Sequence, residues 1–124
     1  MQQWASLFGY KKSSEIVLNT RQKVRVVFLT KKESVTVKLI EPSEPASPIS
    51  LFARKGGGLH HLCFRCSALA EQIPLMQERG AMLVVPPEPG EAFKDNKIAF
   101  LLAKNNLNIE LIDTQEKRGW DENQ

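Results

Sequence analysis

The sequence predicts an α+β fold built from two similar modules, and three observations lead to this prediction. A length of 124 residues with 42% hydrophobic content fits one globular domain. Short runs rich in Val and Ile alternate with polar turns, as in antiparallel sheets. The element order of the second half repeats that of the first with one more strand, at a period of about 50–60 residues.

The first half starts with a helix predicted over residues 2–9. Its Trp4, Leu7 and Phe8 lie on one side and should pack on a sheet, and Gly9 is the expected C-terminal stop. Three strand-like runs follow, at Ser14–Asn19, Gln22–Thr30 and Ser34–Glu41. Because the turns between them are short, we expect an antiparallel meander.

A connector is predicted over residues 42–58. Its three prolines lie among Ser and Glu, a composition that disfavours both a helix and a central strand, and Gly56, Gly57 and Gly58 allow a reversal of direction. The glycine run is not a phosphate loop, because no Gly-Lys-Ser/Thr follows it.

The second half should begin with a strand over Leu59–Cys66. A helix is expected next, with Ser67 at its N-cap and Gly80 at its end, and Pro74 inside it should cause a kink or restart. The last predicted strands are Ala81–Val85, Lys97–Ala103 and Leu107–Asp113.

Residues 86–96 should form a loop and residues 104–106 a turn. The predicted organisation is a single domain over residues 1–114 and a polar tail over 115–124. Within the domain, module one spans 1–41, the connector 42–58 and module two 59–114.

Charge and hydropathy exclude several classes of function. The net charge of +3 is small and the basic residues are scattered, which argues against nucleic-acid binding. The longest run without a charged residue is ten, at positions 1–10, whereas a membrane helix needs about 20 apolar residues. Two cysteines are compatible with a reducing compartment. We therefore expect a cytoplasmic protein with no membrane or nucleic-acid partner.

Alternation along strands places candidate side chains on common faces. His61, Cys63 and Arg65 share one face of their predicted strand, and Glu110 lies on one face of the last strand with Asn108 and Ile112. An imidazole and a carboxylate on neighbouring strands are standard ligands of a divalent ion such as Zn, Mn, Co, Ni or Mg. His61 and Glu110 are therefore the best candidate pair.

Simpler interpretations apply to the same residues. A lone His beside apolar residues is more often structural than a ligand, and Glu110 and Lys38 could be ordinary solvent-facing residues of a sheet. Cys63 and Cys66 match a Cys-x-x-Cys pattern, but residues three apart on a strand point to opposite faces and no second pair exists. We therefore do not assign them a redox or zinc role.

The element order resembles the glyoxalase / vicinal-oxygen-chelate superfamily, which also contains bleomycin resistance proteins and dioxygenases. The tracts LIEPSEPASPIS (39–50), GGGLHHLCFRC (56–66) and NLNIELID (106–113) look most like the methylmalonyl-CoA epimerase group. The resemblance covers about residues 4–114. It implies two β-α-β-β-β modules forming a curved mixed sheet around a cleft, the first module lacking its opening strand.

The resemblance also implies a ligand set for a divalent metal. It places ligands at His61 and Glu110, but the expected His of the opening strand is absent and Lys38 fills the slot of a Glu or Gln. A protonated amine cannot ligate a metal. We therefore expect a metal to be bound weakly or not at all, with Lys38 and Arg65 contacting an anionic ligand instead.

The implied activity is proton transfer next to a thioester or carbonyl, as in an epimerase, isomerase or glyoxalase-type lyase. Glu110 would then be a metal ligand or the catalytic base, acting on a small anionic or acyl-CoA-like molecule. We expect His61, Glu110 and Lys38 to converge on the cleft and the protein to form a homodimer. The alternatives are a non-catalytic protein that sequesters a small molecule and a structural assembly domain.

Overall fold

A computed structural model describes residues 1–114 and Lys117. The described chain has the expected α+β composition, with eight strands in two four-stranded sheets and few helices. It divides into two units, residues 1–56 with Lys117 and residues 57–114. Each unit holds one of the sheets.

The first unit contains α1 (Gln2–Phe8), β1 (Lys11–Lys12), β2 (Val17–Asn19), β3 (Val24–Thr30), β4 (Val37–Pro42) and α2 (Ser50–Arg54). α1 ends as predicted, because Gly9 adopts a left-handed conformation with φ of 74° and its N–H caps the Ala5 carbonyl. α2 lies inside the stretch predicted as a connector without secondary structure, so that part of the prediction was wrong.

The first sheet is an antiparallel meander whose first strand is interrupted. β1 and β2 both pair with β3 along one edge, and β4 pairs with the other edge. The strand predicted at 14–19 is therefore shorter than expected, at Val17–Asn19, and the two residues of β1 that precede it were not predicted as strand. Between β1 and β2, the Phe28 carbonyl accepts the Ser13 N–H, and the Phe28 N–H donates to the Ser14 hydroxyl at 2.8 Å. The Ser14 side chain thus replaces a backbone acceptor at the break.

Packing of α1 differs from the sequence prediction. Leu7 and Phe8, expected on the sheet, are 66% and 46% exposed, and α1 has no buried residue. Trp4 instead contacts Phe8 and Tyr10, with ring centroids 5.3 and 5.5 Å apart. The aromatic contacts are thus made within and just after the helix, and the core of the unit is carried by β3.

The second unit contains β5 (Leu62–Arg65), α3 (Leu69–Glu78), β6 (Met82–Gly90), β7 (Asn96–Ala103) and β8 (Leu107–Ile112). Short 3-10 turns occupy Glu91–Phe93 and Lys104–Asn106. The strand order is β5-β8-β7-β6, in which β5 is parallel to β8 and the other neighbours are antiparallel.

Boundaries in the second unit shift in three places. His60 and His61 precede β5 instead of lying in it. The N-cap of α3 is Ala68 and not Ser67, and the helix runs through Pro74 without a restart. Half of the expected loop 86–96 is strand: β6 reaches Gly90 with two register irregularities, an arrangement that tolerates prolines because β6 is an edge strand.

The core of the second unit lies between α3 and one face of the sheet. Leu69 and Ile73 of α3 cluster with buried residues from β7 and β8, namely Ala99, Leu101, Ile109 and Leu111. These strand residues alternate with Phe100 and Glu110 along their strands, so Phe100 and Glu110 lie on the face opposite α3.

The two units repeat one another in register. Phe28 pairs with Lys38 in the β3–β4 hairpin and Phe100 pairs with Glu110 in β7–β8, and 100 − 28 and 110 − 38 both give a spacing of 72. Glu33 and Asn105, also 72 apart, both have positive φ, of 58° and 63°. The period is therefore longer than the 50–60 residues expected from the sequence.

The interrupted edge strand is part of the same repeat. Lys11 and Asn19 at its ends correspond to Met82 and Gly90, since 82 − 11 and 90 − 19 both give 71. The break between β1 and β2 is thus the counterpart of the irregular stretch of β6. No counterpart of β5 lies among the residues described for the first unit.

None of the three helices in the described part of the chain has the length and apolar character that crossing a bilayer requires. Most of the tail predicted at 115–124 lies outside the described residues.

Candidate functional site

The candidate site lies on one face of the second sheet. Alternate side chains of β8 point either toward α3 or toward the opposite face. Cys63 and Arg65 of β5 are in register with Glu110 and Ile112, so these four residues point to the face opposite α3. This agrees with the face assignment made from the sequence for both strands.

Glu110 is the buried charged residue on this face. It is 1% exposed, although carboxylates are rarely this deeply buried without a partner. Its Oε1 lies 3.4 Å from Nε2 of His61, and the two side chains are 2% and 8% exposed. The structure therefore brings the predicted pair together, within the second unit.

Phe100 and His60 contact the His61 ring, and Asn108 anchors His60. Phe100 meets the His61 ring edge-on with ring centroids 5.5 Å apart, and His60 Nδ1 lies 2.8 Å from His61 Nδ1. The Asn108 amide donates to the His60 carbonyl at 3.2 Å, which ties the two histidines to β8. Sequence analysis missed the role of His60, because a strand through residues 60 and 61 would have placed the rings on opposite faces.

The contacts restrict which ring nitrogens can carry protons. With Glu110 ionised, a favourable contact requires a proton on Nε2 of His61. If His61 is neutral, its Nδ1 then accepts from His60 Nδ1–H. If His61 is protonated on both nitrogens, its Nδ1–H donates to His60. Glu110, His61 and His60 thus form a row of three neighbouring polar side chains, joined by a 3.4 Å ion-pair distance and a 2.8 Å contact between the two Nδ1 atoms.

The fit of this site to a divalent ion is poor. Among residues 1–114 and 117, no group of three or more His, Cys, Asp or Glu side chains lies close enough to hold a metal. His61 and Glu110 supply two donors, and binding through Nε2 would have to displace the proton that faces Glu110. No mechanistic step is therefore assigned to a metal.

The predicted anion contacts lie in different units. Arg65 is an exposed residue of β5, two positions along the same face from Cys63. Lys38 is a half-buried residue of β4 in the first unit, on the same face as its register partner Phe28. Lys117 Nζ lies 5.7 Å from the centroid of the Phe28 ring, a contact that sequence analysis could not anticipate from a polar tail. The expected convergence of Lys38 with His61 and Glu110 stays a prediction.

The two cysteines are free thiols in different environments. Cys63 is exposed, whereas Cys66 is half-buried after the end of β5. Burial raises the pKa of the Cys66 thiol, a hydrogen bond with the Ala68 backbone lowers it, and the Asp113 carboxylate raises it further. The net effect is a raised pKa, which does not favour a nucleophilic thiolate at Cys66.

A family model places the chain among known proteins. The model described as Glyoxalase/Bleomycin resistance protein/Dioxygenase superfamily matches residues 1–100. The chain belongs to this superfamily. The resemblance to this superfamily inferred from the order of elements is therefore confirmed.

Individual relatives of this superfamily member agree with the assignment. The chain is 35% identical over 104 residues to the uncharacterized protein YqjC of Bacillus subtilis (strain 168), covering 83% of this chain and 72% of YqjC. The hypothetical protein BH1468 of Bacillus halodurans C-125 is similar in structure, with a TM-score of 0.78, 26% identity and coverage of 93% of this chain and 83% of that one.

A second similar structure has a named activity. Methylmalonyl-CoA epimerase from Mycobacterium tuberculosis superimposes with a TM-score of 0.75 at 25% identity, over 90% of this chain and 76% of the epimerase. The group identified from the sequence as most similar is thus represented among the structural neighbours of this superfamily member.

Proposed function

We propose that this glyoxalase-superfamily protein catalyses proton transfer at a carbon next to a thioester or carbonyl, as an isomerase, epimerase or glyoxalase-type lyase. The observation that carries the proposal is the buried contact of 3.4 Å between His61 Nε2 and Glu110 Oε1. A carboxylate withheld from water beside an imidazole is a suitable general base. The similarity to a methylmalonyl-CoA epimerase supports the choice of substrate class.

Glu110 acts as the base in this proposal. The substrate C–H bond breaks, its proton forms an O–H bond with the Glu110 carboxylate, and the electron pair moves to the carbonyl oxygen to give an enolate. Return of a proton to the same carbon completes the exchange. His61 orients the carboxylate through its Nε2 side, and the His60 contact fixes the ring.

Positive charge would bind the anionic part of the substrate. Arg65 lies on the face that carries Glu110, and its guanidinium suits a carboxylate or phosphate. Lys38 is proposed as a second anion contact because it is a half-buried amine on a strand face with Phe28. We further propose that any divalent ion at His61 and Glu110 is held weakly, and that the protein is a cytoplasmic homodimer.

The test is deuterium uptake from D2O at C2 of methylmalonyl-CoA, measured by mass spectrometry against spontaneous exchange. We expect uptake with the wild type and a loss of about 100-fold or more in Glu110→Gln, the typical scale of a general base. Glu71→Gln, at an exposed position on α3, is the matched control and should keep the wild-type rate. Wild-type uptake no faster than spontaneous exchange, or full uptake in Glu110→Gln, would overturn the proposal.

The second candidate is a non-catalytic binding protein. It is favoured by one observation: the position that Glu110 holds in the second unit is held by Lys38 in the first. A lysine there would suit anion binding and not metal-assisted chemistry. Thermal stabilisation by methylmalonyl-CoA without any deuterium uptake would support this candidate over the enzyme.

A further inference from the structure

The histidine pair of the candidate site follows a stretch of chain with little stiffness of its own. Gly56, Gly57 and Gly58 all have positive φ, of 111°, 69° and 115°. A Cβ built at any of them would meet no heavy atom of the described residues within 4 Å, chain neighbours aside. Because glycines without packing neighbours restrain the backbone weakly, the position of the two histidines must be set by contacts with other parts of the unit.

The histidines also lie outside the regular pairing of the sheet. The register of β5 with β8 begins at Leu62 and Ile109. A strand extended back through both histidines would point their rings to opposite faces, whereas the Nδ1 atoms of His60 and His61 lie 2.8 Å apart. A contact other than the β5–β8 ladder therefore holds this segment in its course.

Asn108 makes such a contact. Its Nδ2 donates to the His60 carbonyl at 3.2 Å, from a position on β8 two residues before Glu110. Residues two apart on a strand share a face, so the amide and the carboxylate point to the same side of β8. One strand thus places both members of the pair: Glu110 directly, and His61 through the backbone of His60.

The internal repeat separates this role from the folding of the hairpin. Asn108 corresponds to Thr36 in the first unit, since 108 − 36 gives the same spacing of 72 that relates Glu110 to Lys38. Thr36 is exposed and directly precedes β4. The first hairpin therefore forms without an amide at this position, and the amide occurs in the unit that holds the two histidines.

We propose that Asn108 is a positioning residue of the candidate site, which holds His61 Nε2 against Glu110 by hydrogen-bonding the His60 carbonyl. The inference rests on the proposed function, in which Glu110 is the base and His61 orients it. Without the amide, the segment before β5 gains freedom to move and the carboxylate loses its orientation. Because Asn108 acts through the histidines and not on the substrate, its loss should slow turnover without weakening substrate binding.

The test compares Asn108→Ala with Asn96→Ala. Asn96 Nδ2 also donates to a backbone carbonyl of the second unit, that of Phe93 at 2.8 Å, so each variant loses one bond of the same kind. For deuterium uptake at C2 of methylmalonyl-CoA, we expect kcat to fall about tenfold or more in Asn108→Ala with an unchanged KM. Asn96→Ala should keep both constants. If Asn108→Ala does not fold, Asn108→Val removes the amide with a residue that favours strands.

A double variant shows whether the amide acts through His61. Two residues that serve one interaction are not additive, so Asn108→Ala should cause little further loss of kcat in a His61→Gln background. A further tenfold loss in that background would show that Asn108 acts by another route and would overturn the proposal.

Imidazole 15N resonances test the positioning in the free protein, without turnover. We expect the ring nitrogens of His61 and His60 to shift in Asn108→Ala and to stay in place in Asn96→Ala. Unchanged His61 resonances in Asn108→Ala would overturn the inference, and so would shifted resonances with a wild-type kcat. If the wild type shows no uptake above spontaneous exchange, the proposed function fails, and the resonances alone then decide whether Asn108 positions His61.

Discussion

Lys38 and Glu110 hold equivalent positions in two equivalent hairpins. Lys38 is the register partner of Phe28, and Glu110 is the register partner of Phe100, 72 residues later in each case. The hairpins share this pattern of pairing but carry opposite charges at one position. The face that carries a carboxylate and an imidazole in the second unit therefore carries an amine in the first, with Lys117 over the same Phe28 ring.

Replacing Lys38 by Met should weaken the binding of an anionic ligand. Loss of one charge-assisted contact lowers the affinity by about tenfold, and the thermal stabilisation by methylmalonyl-CoA falls accordingly. Lys104→Met removes an exposed lysine from the turn of the second hairpin and serves as the control. Equal stabilisation in wild type and Lys38→Met would count against an anion contact at Lys38.

Gly90→Ala should destabilise the protein by about 1–3 kcal/mol, because the added methyl group overpacks a filled space. A Cβ at Gly90 would lie 2.9 Å from Cγ2 and 3.2 Å from Cδ1 of Ile98, which is 2% exposed. Urea unfolding of the two single variants and the double variant Gly90→Ala/Ile98→Ala measures the coupling. The cost of the alanine at position 90 should shrink when Ile98 is shortened; an unchanged cost would show that the clash is not its origin.

Tyr10→Phe should lower the free energy of unfolding by about 1 kcal/mol, the typical net value of a hydrogen bond. The Tyr10 hydroxyl donates to the Val35 carbonyl at 2.9 Å and lies 2.8 Å from Ser34 Oγ, which links the end of α1 to the β3–β4 turn. Thermal unfolding of Tyr10→Phe, Ser34→Ala and the double variant separates the two contacts. A Tm for Tyr10→Phe equal to that of the wild type would refute this link.

Cys66 should be alkylated more slowly than Cys63. Burial raises the pKa of the Cys66 thiol, so less of it is thiolate at pH 8, and its side chain is also less accessible. Iodoacetamide labelling followed by mass spectrometry distinguishes the two sites, and Cys63→Ser isolates the Cys66 reaction. Faster labelling of Cys66 than of Cys63 would contradict this assignment.

The raised pKa of Cys66 also determines how the free energy of unfolding changes with pH. The folded state retains the Cys66 proton at pH values where the unfolded chain begins to lose it. The resulting stabilisation is full below the unfolded pKa and disappears as pH rises through the folded one. Measured by urea unfolding, the free energy of unfolding should therefore fall more between pH 7 and pH 10 in the wild type than in Cys66→Ser.

Much of the fold could be predicted because its signals are local. Gly9 ends α1 as expected for a left-handed C-cap, and the Val- and Ile-rich runs form strands in the predicted order. The predictions that were wrong concern element boundaries that depend on tertiary contacts. β6 continues through a proline-rich stretch since only one of its edges is paired within the described part of the chain. The Ser14 hydroxyl replaces a backbone group where the edge strand is interrupted.

The candidate site, too, was predicted only where its signals are local. Alternation along β8 placed Glu110 on one face, and the strand pairing brings His61 to it. The contact of His60 with His61 was not predicted because both residues precede β5. Outside a strand, neighbouring side chains need not point to opposite faces. Lys117 could not be found from sequence, since its contact with Phe28 joins residues 89 positions apart (117 − 28) without any local pattern.

The most direct test of the His61–Glu110 pair is a long-range 1H–15N correlation spectrum of the imidazole rings in wild type and Glu110→Gln. We predict that the His61 ring nitrogens shift in the variant and that His60 follows through the Nδ1–Nδ1 bond, whereas Glu71→Gln moves neither. Identical His61 resonances in wild type and Glu110→Gln would contradict the contact on which the proposed chemistry depends.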